Sequence, residues 1–115
     1  MSRLVFPKKH RLLVPSDYQR VFKQGCRQRG GLFSLNVCAN GENCARLGLA
    51  IAKRYIPLSV ERNRIRRVVR ESFRHYQSHL KGKDIVISAR GALHELSNAS
   101  LNEELVRQWK LLVGL

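Results

Sequence analysis

Acidic side chains are scarce in this sequence: eight Asp and Glu stand against 22 Lys and Arg in 115 residues, for a formal net charge of +14 and a pI near 10.9. So few carboxylates make the chain poorly suited to hold a catalytic Mg²⁺ by itself. They also leave self-repulsion that a polyanionic partner would relieve. Cysteine is scarce too. Cys26, Cys38 and Cys44 are odd in number and lack paired close spacing, which fits neither a disulfide framework nor a zinc site, so they read as reduced thiols. His75 and His79 could share a helix face, but no third metal ligand accompanies them. No apolar run approaches the roughly 20 residues of a membrane span. The opening MSRLVFPKKHRLL has neither the long apolar stretch nor the small-residue cleavage site of a signal peptide, so a cytoplasmic protein without membrane contact is expected. Low-complexity segments, linkers and internal repeats are absent. With 43% hydrophobic residues, the sequence excludes a disordered basic tail and supports one domain over residues 1–115.

What is present is positive charge in two blocks. Residues 1–31 carry Arg3, Lys8, Lys9, Arg11, Arg20, Lys23, Arg27 and Arg29 against Asp17 alone. Residues 53–74 carry Lys53, Arg54, Arg62, Arg64, Arg66, Arg67, Arg70 and Arg74 against Glu61 and Glu71. Arginine outnumbers lysine 15 to 7, and the guanidinium fork grips phosphate in two places and stacks on bases. That bias points to nucleic acid.

Periodicity supplies the scaffold. Ser16 with Gln19 reads as a capping box opening a helix over Asp17–Gln24, with Gly25 as its stop. Arg29-Gly30-Gly31 reads as a break. Residues 32–38 alternate as a strand with Phe33, Leu35 and Val37 on one face. Residues 46–52 alternate large and small, so Gly48, Ala50 and Ala52 leave one face low and open to close approach. These two segments are expected to pair as an antiparallel hairpin. Ser59 is a candidate cap for a helix over Glu61–His79, with Ile65, Val68, Val69, Phe73 and Tyr76 as its apolar stripe. Residues 84–89 form a nearly continuous apolar strand, as in a sheet interior. Ser100 and Glu103 suggest a second capping box before a helix striped by Leu101, Leu105, Trp109 and Leu112.

The chemistry concentrates in Glu61-Arg62-Asn63-Arg64-Ile65-Arg66-Arg67-Val68-Val69-Arg70. Guanidinium groups on a helix can meet phosphates at fixed spacing, and Asn63 can bond a phosphate, a ribose or a base edge. With only Glu61 and Glu71 nearby, a salt-bridged, merely solvated face is disfavoured. Tyr18 and Phe22, one turn apart, are either core or a stacking platform for a single strand, and Phe33 shares that ambiguity. Catalytic residues are not expected: there is no carboxylate pair beside a histidine, no Ser-His-Asp set and no phosphate-binding loop.

Four segments in order carry a resemblance: Asp17-Tyr-Gln-Arg-Val-Phe22-Lys-Gln-Gly25, Arg46-Leu-Gly-Leu-Ala-Ile-Ala-Lys53-Arg54, Arg62-Asn63-Arg64-Ile-Arg-Arg67-Val-Val-Arg70-Glu-Ser-Phe73, and Lys83-Asp-Ile-Val-Ile-Ser-Ala-Arg90. The chain resembles the protein subunit of bacterial ribonuclease P, the ribonucleoprotein endonuclease that removes the 5′ leader from precursor tRNA. The resemblance implies an α+β sandwich in the order αβββαβα, with a mixed four-stranded sheet and a left-handed βαβ crossover. It implies two partners, the ribonuclease P RNA and the precursor tRNA, and no protein partner. Chemistry would lie with the RNA and its Mg²⁺, and the protein would bind no cofactor alone. Arg62, Asn63, Arg64, Arg66, Arg67 and Arg70 would meet the catalytic RNA. Tyr18, Phe22, Phe33, Asn36, Lys53, Arg54 and Arg11 would line the path of the single-stranded leader. The rival readings are a structural RNA-binding module without a role in cleavage and a protein-only nuclease.

Overall fold

The apolar alternation along residues 33–39 and 46–50, and its absence along 83–89, dictate a sheet with two unlike faces. A computed structural model describes residue 11 and residues 14–114; Arg3, Lys8, Lys9 and the side chain of Arg29 lie outside the described residues. The elements are α1 (Pro15–Gln24), β1 (Cys26–Gly30), β2 (Phe33–Ala39), β3 (Arg46–Ala50), α2 (Ser59–Tyr76), β4 (Lys83–Ala89) and α3 (Asn98–Val113), with 3₁₀ turns at Gln77–His79 and Leu93–Glu95. This is the αβββαβα order. The four strands form one mixed sheet in the order β1-β2-β4-β3.

The expected hairpin between residues 32–38 and 46–52 does not form. β4 lies between them, antiparallel to β2 and parallel to β3, so α2 is the helix of a βαβ crossover. The reason is burial. Ile85, Val86 and Ile87 are all fully buried, which only a strand covered on both faces and flanked on both sides permits. Residues 40–45 then need only step over one strand, about 10 Å. Arg29 and Gly30, read as part of a break, instead end β1, an edge strand whose Cys-Arg-Gln-Arg-Gly sequence lacks apolar alternation. It joins β2 through a tight turn at Gly31, whose φ of 58° suits glycine.

Phe33, Leu35, Leu47, Ile85 and Ile87 face α2 and α3 and form the main core with Ile65, Phe73, Leu101 and Trp109. The Trp109 indole donates to Ser72 Oγ at 2.8 Å and meets the Phe73 ring edge-on at 5.9 Å, joining the two helices. The opposite face carries Ser34, Asn36, Cys38, Gly48, Ala50, Asp84 and Val86, where α1 packs Val21 and Tyr18 against Val86, Cys38 and Ala50. Among the described residues no helix is long and apolar enough to cross a membrane.

The helix starts differ from the sequence expectation. Ser16 and Ser59 lie inside the first turns of α1 and α2, whose N-caps are Val14 and Leu58, without side-chain caps. Pro15 takes the first-turn position that needs no N–H donor. α3 is capped by Ser97 rather than Ser100: Ser97 Oγ accepts from the Ser100 N–H at 3.1 Å. Gly25 ends α1 in extended conformation, and glycine is needed there for space. A Cβ would lie 2.5 Å from the Val21 carbonyl oxygen and 2.6 Å from that of Val37.

One carboxylate ties α1 to the sheet. Asp84, fully buried on β4, stands in register with Arg46 on β3. Arg46 donates Nε to Oδ1 at 2.8 Å and Nη2 to Oδ2 at 2.7 Å, the bidentate fork. Asn40 Nδ2 donates to Oδ1 at 2.9 Å, and Arg20 of α1 donates to Oδ2. Burial alone would push this carboxyl up; the bonds from Arg46 and Asn40, followed by the Arg46 charge and the Arg20 bond, outweigh it and hold it below its ordinary value. A depressed carboxyl contributes stability that is complete above its unfolded value, about 3.9, and fades as pH falls through the lower folded value. Asp84→Asn should therefore cost about 3 kcal/mol at neutral pH, the low end for severing a buried pair, because both arginines keep some solvent. In urea denaturation the gap from the native protein should narrow on acidification below about pH 3.9. Equal midpoints at pH 7 would show that the carboxylate is idle.

Candidate nucleic-acid interface

The helical period divides the arginines of α2 between two flanks. Ile65, Val69, Ser72 and Phe73 fix the buried side, and Asn63 and Arg67 are left outermost and exposed. On one flank, Arg62 donates from Nη1 to the carbonyls of Ile56 at 3.0 Å and Pro57 at 2.7 Å, fastening the loop before α2. Arg66 donates to Asn63 Oδ1 at 3.1 Å. On the other flank Arg64 turns toward α3, donating from Nε to Glu61 at 3.0 Å, from Nη1 to Asn98 Oδ1 at 2.6 Å and from Nη2 to the His94 carbonyl at 2.9 Å. Arg74 binds Glu71 at 2.8 Å, and the two hold that carboxyl low, the Arg74 hydrogen bond being the largest cause.

Like charges gather beyond the outer edge of β3. Residue 11 runs parallel to that strand and bridges to Leu47. Burial, then the positive charges of Arg11 and Arg66, lower the Arg70 guanidinium from its usual value, while the Tyr18 phenol opposes the shift. The charges of Arg11, Arg66 and Tyr18 thus all bear on Arg70 at one edge of the sheet. Tyr18 is held there by β3: its ring lies on Gly48, and its hydroxyl accepts from the Leu49 N–H at 3.3 Å. Phe22, one turn later, is 44% exposed and lines a shallow depression with Gln19 and Lys23. Lys53 and Arg54 are exposed in the turn that follows β3, with the Arg54 guanidinium 4.9 Å from the Tyr55 ring centroid.

Of the residues expected along a leader, Tyr18, Arg11, Lys53 and Arg54 thus lie on or beside β3, and Phe22 follows on the same flank of α1. Two others do not fit. Phe33 is 1% exposed and belongs to the main core, because its place in the alternation turns it toward α2 and α3. Asn36 shares the α1 face but is 5% exposed, leaving almost no surface for a strand to touch. Of the arginines expected to meet the catalytic RNA, Arg64 is turned inward. Gln19 and Lys23, unsuspected from the sequence, accompany Phe22; the helical period places them beside it, and only their ordinary polarity hid them. Among the described residues, no three His, Cys, Asp or Glu side chains group as metal ligands.

A family model described as Ribonuclease P matches residues 6–113. The chain belongs to the ribonuclease P protein family. It is 42% identical over 104 residues to the ribonuclease P protein component of Aliivibrio fischeri, covering 90% of this chain and 89% of the relative. To that of Vibrio cholerae it is 39% identical over 112 residues, covering 97% and 95%. The fold agrees. The ribonuclease P protein of Staphylococcus aureus superposes with a TM-score of 0.83 at 29% identity, covering 90% of this chain and 94% of that one. That of Thermotoga maritima gives 0.78 at 29% identity, covering 88% and 96%. As a ribonuclease P protein component, the chain is a subunit of the ribonucleoprotein endoribonuclease that processes the 5′ end of precursor tRNA.

The contact between Tyr18 and Gly48 gives a direct check of the edge geometry. A Cβ on Gly48 would come within 2.8 Å of ring carbons Cε2 and Cζ. Gly48→Ala should cost about 1–3 kcal/mol as an overpacked contact. Adding Tyr18→Ala should return most of that loss in thermal denaturation, whereas strictly additive losses would place the ring elsewhere.

Proposed function

We propose that this subunit binds the ribonuclease P RNA through the exposed strip of α2 and holds the single-stranded leader of precursor tRNA along the β3 edge. The observation that carries this reading is the make-up of the β3 edge, where Tyr18 lies on Gly48 and bonds the Leu49 amide, residue 11 bridges to Leu47, Phe22 is half exposed and the exposed Lys53 and Arg54 follow the strand. Cationic side chains ranged along one edge favour a phosphate backbone laid across them. Arg62, Asn63, Arg66, Arg67 and Arg70 are the residues assigned to the catalytic RNA. Arg11, Lys53 and Arg54 are assigned to leader phosphates, and Phe22 to a leader base, with Tyr18 as the wall behind it. Phe22 suits stacking because nearly half of it is open to solvent while α1 holds its backbone.

The protein's part is electrostatic and geometric. It neutralises repulsion between two polyanions and keeps the leader extended. In this reading the Mg²⁺ ions that activate water belong to the RNA. Reconstitution at low Mg²⁺ tests the whole. Adding the protein to a matching catalytic RNA should restore leader removal, and the protein alone should cleave nothing. Binding without any effect on processing would support a structural RNA-binding module, and cleavage by the protein alone a nuclease.

Phe22→Ala should weaken binding of leader-bearing precursor by about 1–3 kcal/mol, the worth of one stacked base, and leave mature tRNA nearly unaffected. Equilibrium binding to both ligands measures this, and equal losses would remove Phe22 from the leader path.

A further inference from the structure

We infer that Arg64, the second arginine of the Arg-Asn-Arg run, is a positioning residue that holds α3 in place for Arg67 rather than a ligand of RNA. The inference rests on the RNA-binding reading above. The guanidinium of Arg64 is committed on three sides to three separate segments: Glu61 of its own helix, the His94 carbonyl in the 3₁₀ turn before α3, and Asn98 at the start of α3. The side chain is 24% exposed. Lysine cannot reproduce this arrangement, since three divergent bonds need the planar fork.

The far end of the link is built to receive it. Ser97 caps α3 with its own hydroxyl, which leaves the Asn98 side chain to accept from Arg64 instead of serving its helix. Arg67 stands one turn along α2 from Arg64. It is exposed and, among the described residues, bonds to no protein group. Both arginines line the groove between α2 and α3, with Asn98 and Asn102 on its far wall. Releasing Arg64 would free that wall and the frame around Arg67, while the charge of Arg67 itself is untouched. Within a run of adjacent arginines, one guanidinium thus sets the stage and its neighbour meets the phosphate.

Charge and geometry separate in a set of variants bound to the catalytic RNA over a range of salt, well below their melting temperatures. Arg67→Ala should lower the slope of log affinity against log salt by about one counterion. Arg64→Lys should keep the slope of the native protein yet bind about fivefold more weakly, an ordinary coupling between neighbours. On the Arg67→Ala background it should cost no further affinity, which a purely stabilising contact would not produce. Arg64→Lys and Asn98→Ala should each lower the melting temperature by several degrees without summing in the double variant. Full affinity in Arg64→Lys, with a slope lowered by one in Arg64→Ala, would make Arg64 a phosphate contact and overturn the inference. An undiminished effect of Arg64→Lys on the Arg67→Ala background would overturn it as well. If the native protein itself fails to bind the RNA, the reading under proposed function falls. The RNA-free melting cycle then still decides whether Arg64 holds α3, and additive shifts there would end the inference.

Discussion

A single buried carboxylate organises a molecule that carries an excess of 14 positive charges. Asp84 accepts from two arginines and an asparagine contributed by α1, β3 and the loop after β2. Removing such an ion pair from water is costly, and only close, fully bonded geometry offsets it. Arg20 reaches Asp84 from the helix and adds a polar tie to the packing of Val21 and Tyr18 that holds α1 on the sheet. That attachment sets Tyr18 over Gly48 and leaves Phe22 on the open flank. The stacking surface on α1 and the β3 edge are thus tied together through one carboxylate on β4.

Three further acids follow the same economy. Glu61 engages Arg64, Glu71 engages Arg74 and Glu104 engages Arg107, so each is an internal counter-ion for a particular arginine. Other arginines gather by position. The charges of Arg11 and Arg66 bear on Arg70 at the edge of β3, and Arg67 stands out from α2. The net charge of the chain thus understates its organisation. Some arginines, such as Arg46, Arg62 and Arg64, are structural members, and the carboxylates and carbonyls that reach them make them so.

Much of this was legible in the residues. The period of Ile65, Val69 and Phe73 revealed α2 and its cationic side, and the uninterrupted apolar run at 85–87 revealed a strand buried on both faces. What stayed hidden has physical reasons. Strand order depends on which strand must be covered on both sides, a global condition that local alternation at 33–37 and 47–51 does not encode. β1 carries no apolar alternation because it closes the sheet at an edge. Phe33 and Asn36 are neighbours of alternate parity, and sequence alone does not say what covers each face. The fate of Arg64 was invisible because its partners lie 30 and 34 residues away.

The two margins of the sheet are finished differently, and this bears on the chain before it meets RNA. An open strand margin invites another chain to add itself, which is how many strand-rich proteins clump. Here β1 sets an exposed Arg27 on one margin, where a second copy would bring its own like charge. On the other margin the Tyr18 hydroxyl occupies the Leu49 amide, and residue 11 bridges to Leu47. Both margins thus lack the bare, uncharged strand that such addition requires.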